Sequence, residues 1–370
     1  MFRWFESIGT NSRHTIFWRD RLNFILLALL LIASANGCSS NSNIANAENE
    51  AIETSSDSRL ATIKERGELI CGIGGEIPGF SFVDAEGRYA GIDVDFCRAV
   101  ASALFDDPNR VKFRSLNAKE RFEVLKSGEI DLLSRNTTQT LSRDSDENLE
   151  FTPPIFYDRQ GIMVNRNSGI ESIADLQDKA ICVAENTTSY DNLLDYMSQQ
   201  NITYTPMASS KRDSLYNSYE KNVCQAITGD ISHLVVSRTL LANPKEHQIL
   251  PLTISQEPLA PVVLQEDSQW FDIVKWVTYT LVQAEELGID SENLNSFKST
   301  QDSEIKRFLG VDSDLGSQMG LSDDFTARIV KHVGNYGEIY DRNIGQPFNL
   351  ERGQNALWTD GGLMYSPPFN

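Results

Sequence analysis

The chain has 370 residues, enough for two domains, and 40% of them are apolar, so a sizeable core is possible. The formal net charge of −19 and the isoelectric point near 4.6 argue against nucleic acid as a partner, because phosphate binding needs a basic face. Excess acidic charge keeps a protein soluble and says little about its fold.

The N-terminal segment has the layout of a secretory signal. Four arginines precede an apolar run over residues 24–33, which at roughly ten residues is too short to span a bilayer. Cys38 then follows the small residues Ala35-Asn36-Gly37. This ending resembles the lipobox of bacterial lipoproteins, in which the cysteine is acylated, although Ala35 stands where that family usually has Leu. We therefore predict a signal peptide at residues 1–37, a lipid on Cys38 and a flexible tether at residues 38–58. The alternative is an ordinary cleaved signal with an incidental Cys38.

Short apolar segments and helical patterns begin to alternate at residue 69. We predict buried strands at residues 69–73 and 130–133, with helices between them at 96–105 and around 118–125. The Gly- and Pro-rich loop at residues 74–80 is not a phosphate loop, because no Gly-Lys-Ser or Gly-Lys-Thr follows it. Strands that alternate with helices in this way predict a mostly parallel sheet.

A second α/β unit begins near residue 165, and a helical C-terminal part follows it. The predicted strands and helices of this unit cover residues 179–183, 190–199, 224–228, 233–241 and 249–254. A long amphipathic helix is predicted at residues 268–287, with further helical segments to about residue 333. The tail at residues 334–370 is rich in Gly, Pro and Tyr and is predicted to be a packed extension.

Five cysteines are present, and four remain if Cys38 carries lipid. An even set in an exported chain favours disulfides, and four cysteines allow three pairings. Domain logic favours Cys71–Cys97 and Cys182–Cys224, which place one bond inside each unit. The spacings fit no zinc site, since there is no C-x-x-C and no neighbouring pair of histidines.

The run from Leu132 to Asp144 is similar to the hallmark segment of the amino-acid-binding proteins of polar amino-acid ABC importers. From about residue 59 to its end, the chain more closely resembles the general L-amino-acid-binding subfamily within family 3 of the bacterial solute-binding proteins. The other blocks that carry this resemblance are Ala118–Phe122, Gln269–Val274, Gly334–Glu338, Ala356–Trp358 and Gly361–Pro368. The two cysteine pairs also match that subfamily.

The resemblance implies an α/β fold of the type II periplasmic-binding-protein class. This fold is a two-lobed clamshell in which each lobe is a doubly wound, mostly parallel sheet. Lobe 1 is predicted at residues 59–160 and 256–370, including the helical and Gly/Pro/Tyr-rich extension, and lobe 2 at residues 165–250. Doubly wound sheets bind ligands at the carboxyl ends of their strands, where the polar loops of this chain fall.

A free α-amino acid is a zwitterion, and the resemblance assigns a residue to each of its charges. Arg143 matches the carboxylate-binding arginine of the family, whose planar guanidinium can hold a carboxylate bidentately. The alternative is a surface arginine paired with Asp144 or Asp146. Asp230 matches the ammonium-binding acid. The alternative is an N-cap for the helix that starts at His233, and both roles could hold.

Five further positions complete the predicted site. Thr138 and Thr188 match positions whose hydroxyl and backbone groups bracket the zwitterion, with a plain turn role as the alternative. Asn136 matches a position that contributes a backbone carbonyl. Ile77 and Phe80 lie in the first loop, where relatives place an aromatic or apolar wall against the ligand side chain, although Phe80 could simply belong to the core.

The resemblance implies the extracytoplasmic binding component of an ABC importer, which captures free L-amino acids with broad specificity and delivers them to a membrane permease. We expect a periplasmic monomer, lipid-anchored to a membrane, with no cofactor, no metal and no enzymatic activity. His233, His247 and His332 lack metal-ligand spacing, and none lies near a G-x-S-x-G motif. The alternative is an exported dehydratase-type enzyme on the same fold. It would share the arginine but add an acid/base group, for which no residue stands at a matching position.

Overall fold

The computed structural model describes residues 58–146, 148–265 and 267–370. The predicted signal peptide at residues 1–37, the predicted lipid site Cys38 and the predicted tether up to residue 57 lie outside the described residues. None of the described helices has the length and apolar character needed to cross a membrane.

Strands and helices alternate along the described chain, as the sequence pattern predicts. The strands are β1 (Leu69–Ile73), β2 (Phe82–Val83), β3 (Tyr89–Ala90), β4 (Val111–Ser115), β5 (Leu132–Leu133), β6 (Leu149–Phe151), β7 (Phe156–Asn165), β8 (Lys179–Ala184), β9 (Tyr204–Ser209), β10 (Ala226–Asp230), β11 (His247–Ile249), β12 (Gln256–Leu259) and β13 (Val262–Leu264). The helices are α1 (Arg59–Arg66), α2 (Ile92–Phe105), α3 (Arg121–Lys126), α4 (Leu141–Asp144), α5 (Thr188–Gln199), α6 (Arg212–Glu220), α7 (Ile231–Arg238), α8 (Ser268–Glu286), α9 (Ser303–Phe308), α10 (Leu315–Gln318), α11 (Phe325–Val333), α12 (Tyr336–Tyr340) and α13 (Gln346–Phe348).

The first sheet has the strand order β4-β1-β5-β13-β6. Successive residues of its strands enter different apolar clusters: Leu132 packs with α2, α8 and α11, whereas its neighbour Leu133 packs with α3. This follows from the two-residue period of a strand, which sends adjacent side chains to opposite faces. The sheet is therefore covered by helices on both faces.

The second sheet has the order β11-β7-β10-β8-β9, and β12 pairs with β7. It too is covered on both faces. Leu193 and Met197 of α5 lie in one apolar cluster with Ile181 of β8, whereas Leu215 of α6 and Leu234 of α7 lie in another. Each sheet with its helices thus forms one lobe of the predicted two-lobed α/β fold.

Both sheets are mixed rather than mostly parallel. β1 is parallel to β4 and β5, and β8 is parallel to β9 and β10, as the α/β alternation predicts. β13 and β7 run antiparallel to their neighbours. The chain enters both strands through a short connection from the other sheet. A parallel neighbour would instead require a helical crossover. β6 leads directly into β7, and β12 leads back into β13.

One disulfide lies inside each lobe. Cys71–Cys97 joins β1 to α2, and Cys182–Cys224 joins β8 to the segment that precedes β10. Both cysteine pairs are the ones predicted from the sequence. Because neither bond crosses between the sheets, the covalent links brace each lobe without tying one to the other.

The C-terminal tail packs against the first lobe. The Phe369 ring lies edge-on against Trp276 of α8 and Phe308 of α9, with ring centres 5.0 and 5.4 Å away. Arg352 forms a two-pronged ion pair with Glu285, its Nη1 and Nη2 donating at 2.8 and 3.0 Å. These contacts enlarge the core beneath the first sheet and leave the cleft side of the lobe uncovered.

Candidate functional site

A cavity of about 380 Å³ lies between the two lobes. Its walls are the carboxyl ends of β1, β4 and β5 on one side and of β8, β9 and β10 on the other, which is where α/β sheets present ligand-binding loops. Its charged lining residues are Glu76, Glu120, Arg121, Arg135, Arg143, Glu185, Arg212 and Asp230.

Arg143 lines the cavity from α4, which follows β5. Thr140 caps this helix, and its hydroxyl accepts from the Arg143 backbone N–H at 3.3 Å. The guanidinium turns back to donate to the Thr138 carbonyl oxygen at 2.7 Å and lies 5.6 Å from the centre of the Phe122 ring. Burial lowers the pKa of Arg143, while neighbouring carboxylates, Glu257 foremost, raise it.

The alternative for Arg143 was a surface ion pair with Asp144 or Asp146. Among the described residues, the Asp146 carboxylate instead accepts from Lys126 Nζ at 2.9 Å. Asp144 approaches Gln139 Nε2 at 3.5 Å. The described contacts of these two acids therefore do not draw the guanidinium away from the cavity.

Three more arginines, Arg121, Arg135 and Arg212, line the same cavity, and none of them was predicted from the sequence. Arg121, at the start of α3, is only 3% exposed, and its Nε has no hydrogen-bond partner among the described residues. Burial lowers the pKa of Arg121 well below its usual value, and repulsion by Arg135 and Arg143 adds to this. Arg135 donates to the Leu116 carbonyl oxygen at 2.7 Å. Arg121 lies in the block Ala118–Phe122, which carries part of the family resemblance. That block was the one sequence feature that could have marked Arg121 as a site residue.

Asp230 faces the cavity from the end of β10 and is 7% exposed. It occupies the N-cap position of α7, but its side chain makes no capping hydrogen bond, so the N-cap alternative does not explain the carboxylate. Its Oδ2 lies 3.4 Å from Nδ1 of His233. Burial raises the pKa of Asp230 well above its usual value, and the nearby Asp158 and Glu257 raise it further.

The hydroxyl groups of Thr138 and Thr188 come from different lobes and lie close together at the cavity wall. Thr138 follows β5 in the first lobe, Thr188 begins α5 in the second, and their hydroxyl oxygens are 3.3 Å apart. Both hydroxyls also contact Oε2 of Glu257, at 2.6 and 2.9 Å. Glu257 was not predicted, because a single acid in a short strand carries no pattern that marks it.

Asn136 lines the cavity in a left-handed backbone conformation, with φ of 34°. Few residues other than glycine adopt this region, and asparagine is among the best tolerated. Its backbone N–H donates to Oδ1 of the buried Asp93 at 3.2 Å, and the Ser134 hydroxyl donates to the same oxygen at 3.2 Å. The conformation turns the loop after β5 so that Asn136, Thr138 and Arg143 all reach the cavity.

The two predicted residues of the loop after β1, Ile77 and Phe80, lie in different environments. Ile77 lines the cavity. Phe80 does not: it is 1% exposed, and its ring packs edge-on against Phe156 and His233, with ring centres 5.0 and 4.6 Å away. Backbone hydrogen bonds join Ile77 and Ser81 in both directions, at 2.8 and 2.9 Å, and close a tight turn that sends Phe80 into the core. The prediction of Phe80 as a ligand wall is therefore corrected.

The charged groups of the cavity can hold a ligand that carries charges of both signs. His233 is buried, and burial lowers its pKa well below the usual value, so it stays neutral. Within the described residues, no group of three or more His, Cys, Asp or Glu side chains could hold a metal ion. Guanidinium donors and carboxylate acceptors instead face one enclosed space from the two lobes.

Asp93 beneath this site gives the protein a pH-dependent stability. Burial raises the pKa of Asp93 from 3.8 to about 7. Between these two pH values the folded state keeps a proton on Asp93 that the unfolded chain releases. The contribution of Asp93 to the free energy of unfolding is therefore greatest below the unfolded pKa and is lost as pH rises through about 7. Asp93→Asn mimics the neutral form.

We expect Asp93→Asn to make the decline of unfolding free energy between pH 4 and 7 shallower, by up to about 1.4 kcal/mol per pH unit. Urea unfolding at a series of pH values measures this. Asp213 is exposed, and Asp213→Asn is the control. This control should leave the dependence of unfolding free energy on pH unchanged. Parallel curves for wild type and Asp93→Asn would contradict the prediction.

Comparison with protein families matches residues 69–342 to the bacterial extracellular solute-binding proteins, family 3. The chain is 47% identical over 313 residues to the general L-amino acid-binding periplasmic protein AapJ of Rhizobium johnstonii, covering 84% of this chain and 92% of that protein. It is 45% identical to the glutamate/glutamine/aspartate/asparagine-binding protein BztA of Rhodobacter capsulatus, covering 85% and 94%.

A solved structure agrees with this assignment. It is an ABC transporter/periplasmic binding protein from Brucella ovis with glutathione bound, 44% identical, and it superposes with a TM-score of 0.82 over 85% of this chain and 99% of that one. The family and these relatives are solute-binding proteins rather than enzymes. With two mixed sheets facing one cavity and this similarity over most of its length, the chain belongs to family 3 of the bacterial extracellular solute-binding proteins.

Proposed function

We propose that this protein binds free L-amino acids with broad specificity in the periplasm and delivers them to the membrane permease of an ABC importer. The proposal rests on the position of Arg143 and Asp230, which line one cavity from the two lobes. Opposite charges on the two walls complement the two charges of an amino acid. The names of the relatives, AapJ and BztA, support the same ligand class.

The ligand carboxylate would bind to the Arg143 guanidinium, whose planar fork matches a carboxylate bidentately. The ligand ammonium would donate to Asp230. Thr138 and Thr188 would bracket the zwitterion between these ends, with the Asn136 backbone carbonyl as a further acceptor. An ammonium beside Asp230 favours the charged carboxylate and so offsets part of the cost of burying it.

The ligand side chain would extend toward the other arginines. Arg121 is buried, and Arg135, Arg212 and the acid Glu185 are half-buried, whereas the rim acids Glu76 and Glu120 are exposed to solvent. Solvent screens exposed charges more strongly than buried ones. The three inner arginines outnumber Glu185, and the remaining positive charge favours acidic side chains, then polar neutral ones, over basic ones.

Closure of the two lobes would follow ligand binding. Arg143 and Thr138 belong to segments of the first sheet, and Thr188 and Asp230 to segments of the second. A ligand that contacts both sets favours the closed state, and only this difference in affinity can shift the population. The lobes proposed to move are residues 59–160 with 256–370 and residues 165–250. The paired β12 and start of β7 would lie at the junction between these two units.

The mature protein would be a monomer held at a membrane by a lipid on Cys38. The small residues before Cys38 support this part of the proposal, and mass spectrometry of the mature N-terminus is its check. A dehydratase-type enzyme on this fold finds no support in the relatives, which are binding proteins.

Arg143→Ala and Asp230→Asn should each weaken amino-acid binding by roughly 100-fold or more, because each leaves one ligand charge without its buried partner. Isothermal titration calorimetry with L-glutamate and L-glutamine measures the loss, and thermal melting shows that the variants fold. Arg114→Ala is the control, since Arg114 pairs with Glu129 away from the cavity. A variant that binds within threefold of wild type, on the order of 1 kcal/mol or less, would remove that residue from the site.

The order of preference among ligands tests the inner arginines. In a thermal-shift screen, L-glutamate and L-aspartate should stabilise the protein most, L-glutamine and L-asparagine less, and L-lysine and L-arginine least. Glutathione belongs in the same screen. Arg121→Met should narrow the gap between L-glutamate and L-lysine, whereas Arg114→Met should not. Equal shifts for L-glutamate and L-lysine in wild type would exclude the proposed side-chain preference.

A further inference from the structure

Glu257 is a buried carboxylate at the base of the cleft. It lies on β12, which pairs with β7, and the residue is 1% exposed. Its Oε2 contacts the hydroxyls of Thr138 and Thr188 at 2.6 and 2.9 Å. Its Oε1 accepts from Asn192 Nδ2 at 2.9 Å and from the Ser255 hydroxyl. One carboxylate thus accepts from four donors: Thr138 in the first lobe, Thr188 and Asn192 in the second, and Ser255 just before β12.

These contacts fix the direction of two hydroxyl protons. A threonine hydroxyl has one proton to donate and two lone pairs to accept with. A carboxylate that carries no proton can only accept, so Thr138 and Thr188 must both donate to Oε2. Their oxygens, 3.3 Å apart, then have no proton left to share with each other or with a ligand.

We propose that Glu257 is a positioning residue that commits the hydroxyls of Thr138 and Thr188 to accept hydrogen bonds, and so completes with Asp230 a pocket for the ligand ammonium. The inference rests on the proposed function, because it assumes that an amino acid occupies the cavity. Both threonines line the cavity, whereas Glu257 lies behind them and acts through them.

The charges around the pocket agree with this role. Asp230, Asp158 and Glu257 bring three buried acids to one end of the cavity, and the pKa of Asp230 is raised partly by the other two. Among the carboxylates near Arg143, Glu257 raises its pKa most, and that guanidinium would be occupied by the ligand carboxylate. An ammonium, with three donors and a positive charge, suits a group of acceptors next to this acidic cluster.

The pocket also explains how broad specificity can coexist with selection for amino acids. A ligand that lacks the ammonium would leave two fixed acceptors and Asp230 unpaired in a buried space, which is costly. Ligand side chains can differ because they extend away from Glu257, and the arginines set the order of preference among them.

The first test is Glu257→Gln, which keeps the shape but replaces one acceptor by a donor. We expect the affinity for L-glutamate to fall roughly 10- to 100-fold in calorimetry. Asp131→Asn is the matched control. Asp131 is equally buried but holds Arg59 and Arg66 outside the cavity, so its loss should lower the melting temperature without changing affinity.

The second test separates a positioning role from a structural one. Thr188→Val removes the hydroxyl and should weaken binding roughly tenfold, whereas Thr188→Ser keeps the hydroxyl and should bind within about threefold of wild type. In the Glu257→Gln background, Thr188→Val should have a much smaller effect, because the hydroxyl is no longer held as an acceptor.

Additive effects of Glu257→Gln and Thr188→Val, or equal affinities of Thr188→Val and Thr188→Ser, would overturn the inference. If Glu257→Gln does not fold, the Val and Ser comparison can still overturn the inference, because equal affinities would mean that the Thr188 hydroxyl is not needed as an acceptor. Wild-type protein that binds none of the twenty amino acids would refute the proposed function itself, an outcome distinct from any of these.

Discussion

Charged groups are buried at the base of the cleft without enough partners inside the protein, and this constraint shapes the rest of the site. Burying a charge is costly unless it is paired and hydrogen-bonded. Burial disfavours the charged form of both kinds of group here: it raises the pKa of Asp230 and lowers that of Arg121. Arg143 and Asp230 stand on opposite walls, and a zwitterion would give each of them a partner of opposite charge.

The fold can tolerate this arrangement because stability is supplied elsewhere. Each lobe has apolar clusters on both faces of its sheet and its own disulfide. The C-terminal tail adds aromatic packing beneath the first sheet. The strained backbone at Asn136 is held by hydrogen bonds from this loop to the buried Asp93. Residues at the cleft are therefore free to be arranged for ligand binding rather than for stability of the unliganded state.

Much of the fold could be predicted from local pattern. Alternation of strands and helices predicts two α/β units, and the presence of two cysteines in each unit favours one bond in each. The antiparallel entry of β7 and β13 could not be predicted, because it depends on which sheet the chain joins after a short connection. The family resemblance directed attention to Arg143 and Asp230, and both line the cavity.

Other parts of the site depend on contacts between distant residues. Glu257 is 119 residues from Thr138 in the chain, so no local motif links them. Arg121 was visible within a matching block, but its burial and lack of a partner at Nε are properties of the folded protein. Phe80 was misassigned because the direction of a loop side chain depends on the turn between Ile77 and Ser81, which composition does not specify.

The proposed function requires that one ligand joins the two lobes through Arg143 on one wall and Asp230 on the other. Small-angle X-ray scattering of the mature protein, with and without saturating L-glutamate, tests it most directly. The radius of gyration should fall on saturation in wild type, and it should stay unchanged in Asp230→Asn at the same concentration. Superimposable wild-type profiles at saturation, with binding established by calorimetry, would contradict closure around the ligand.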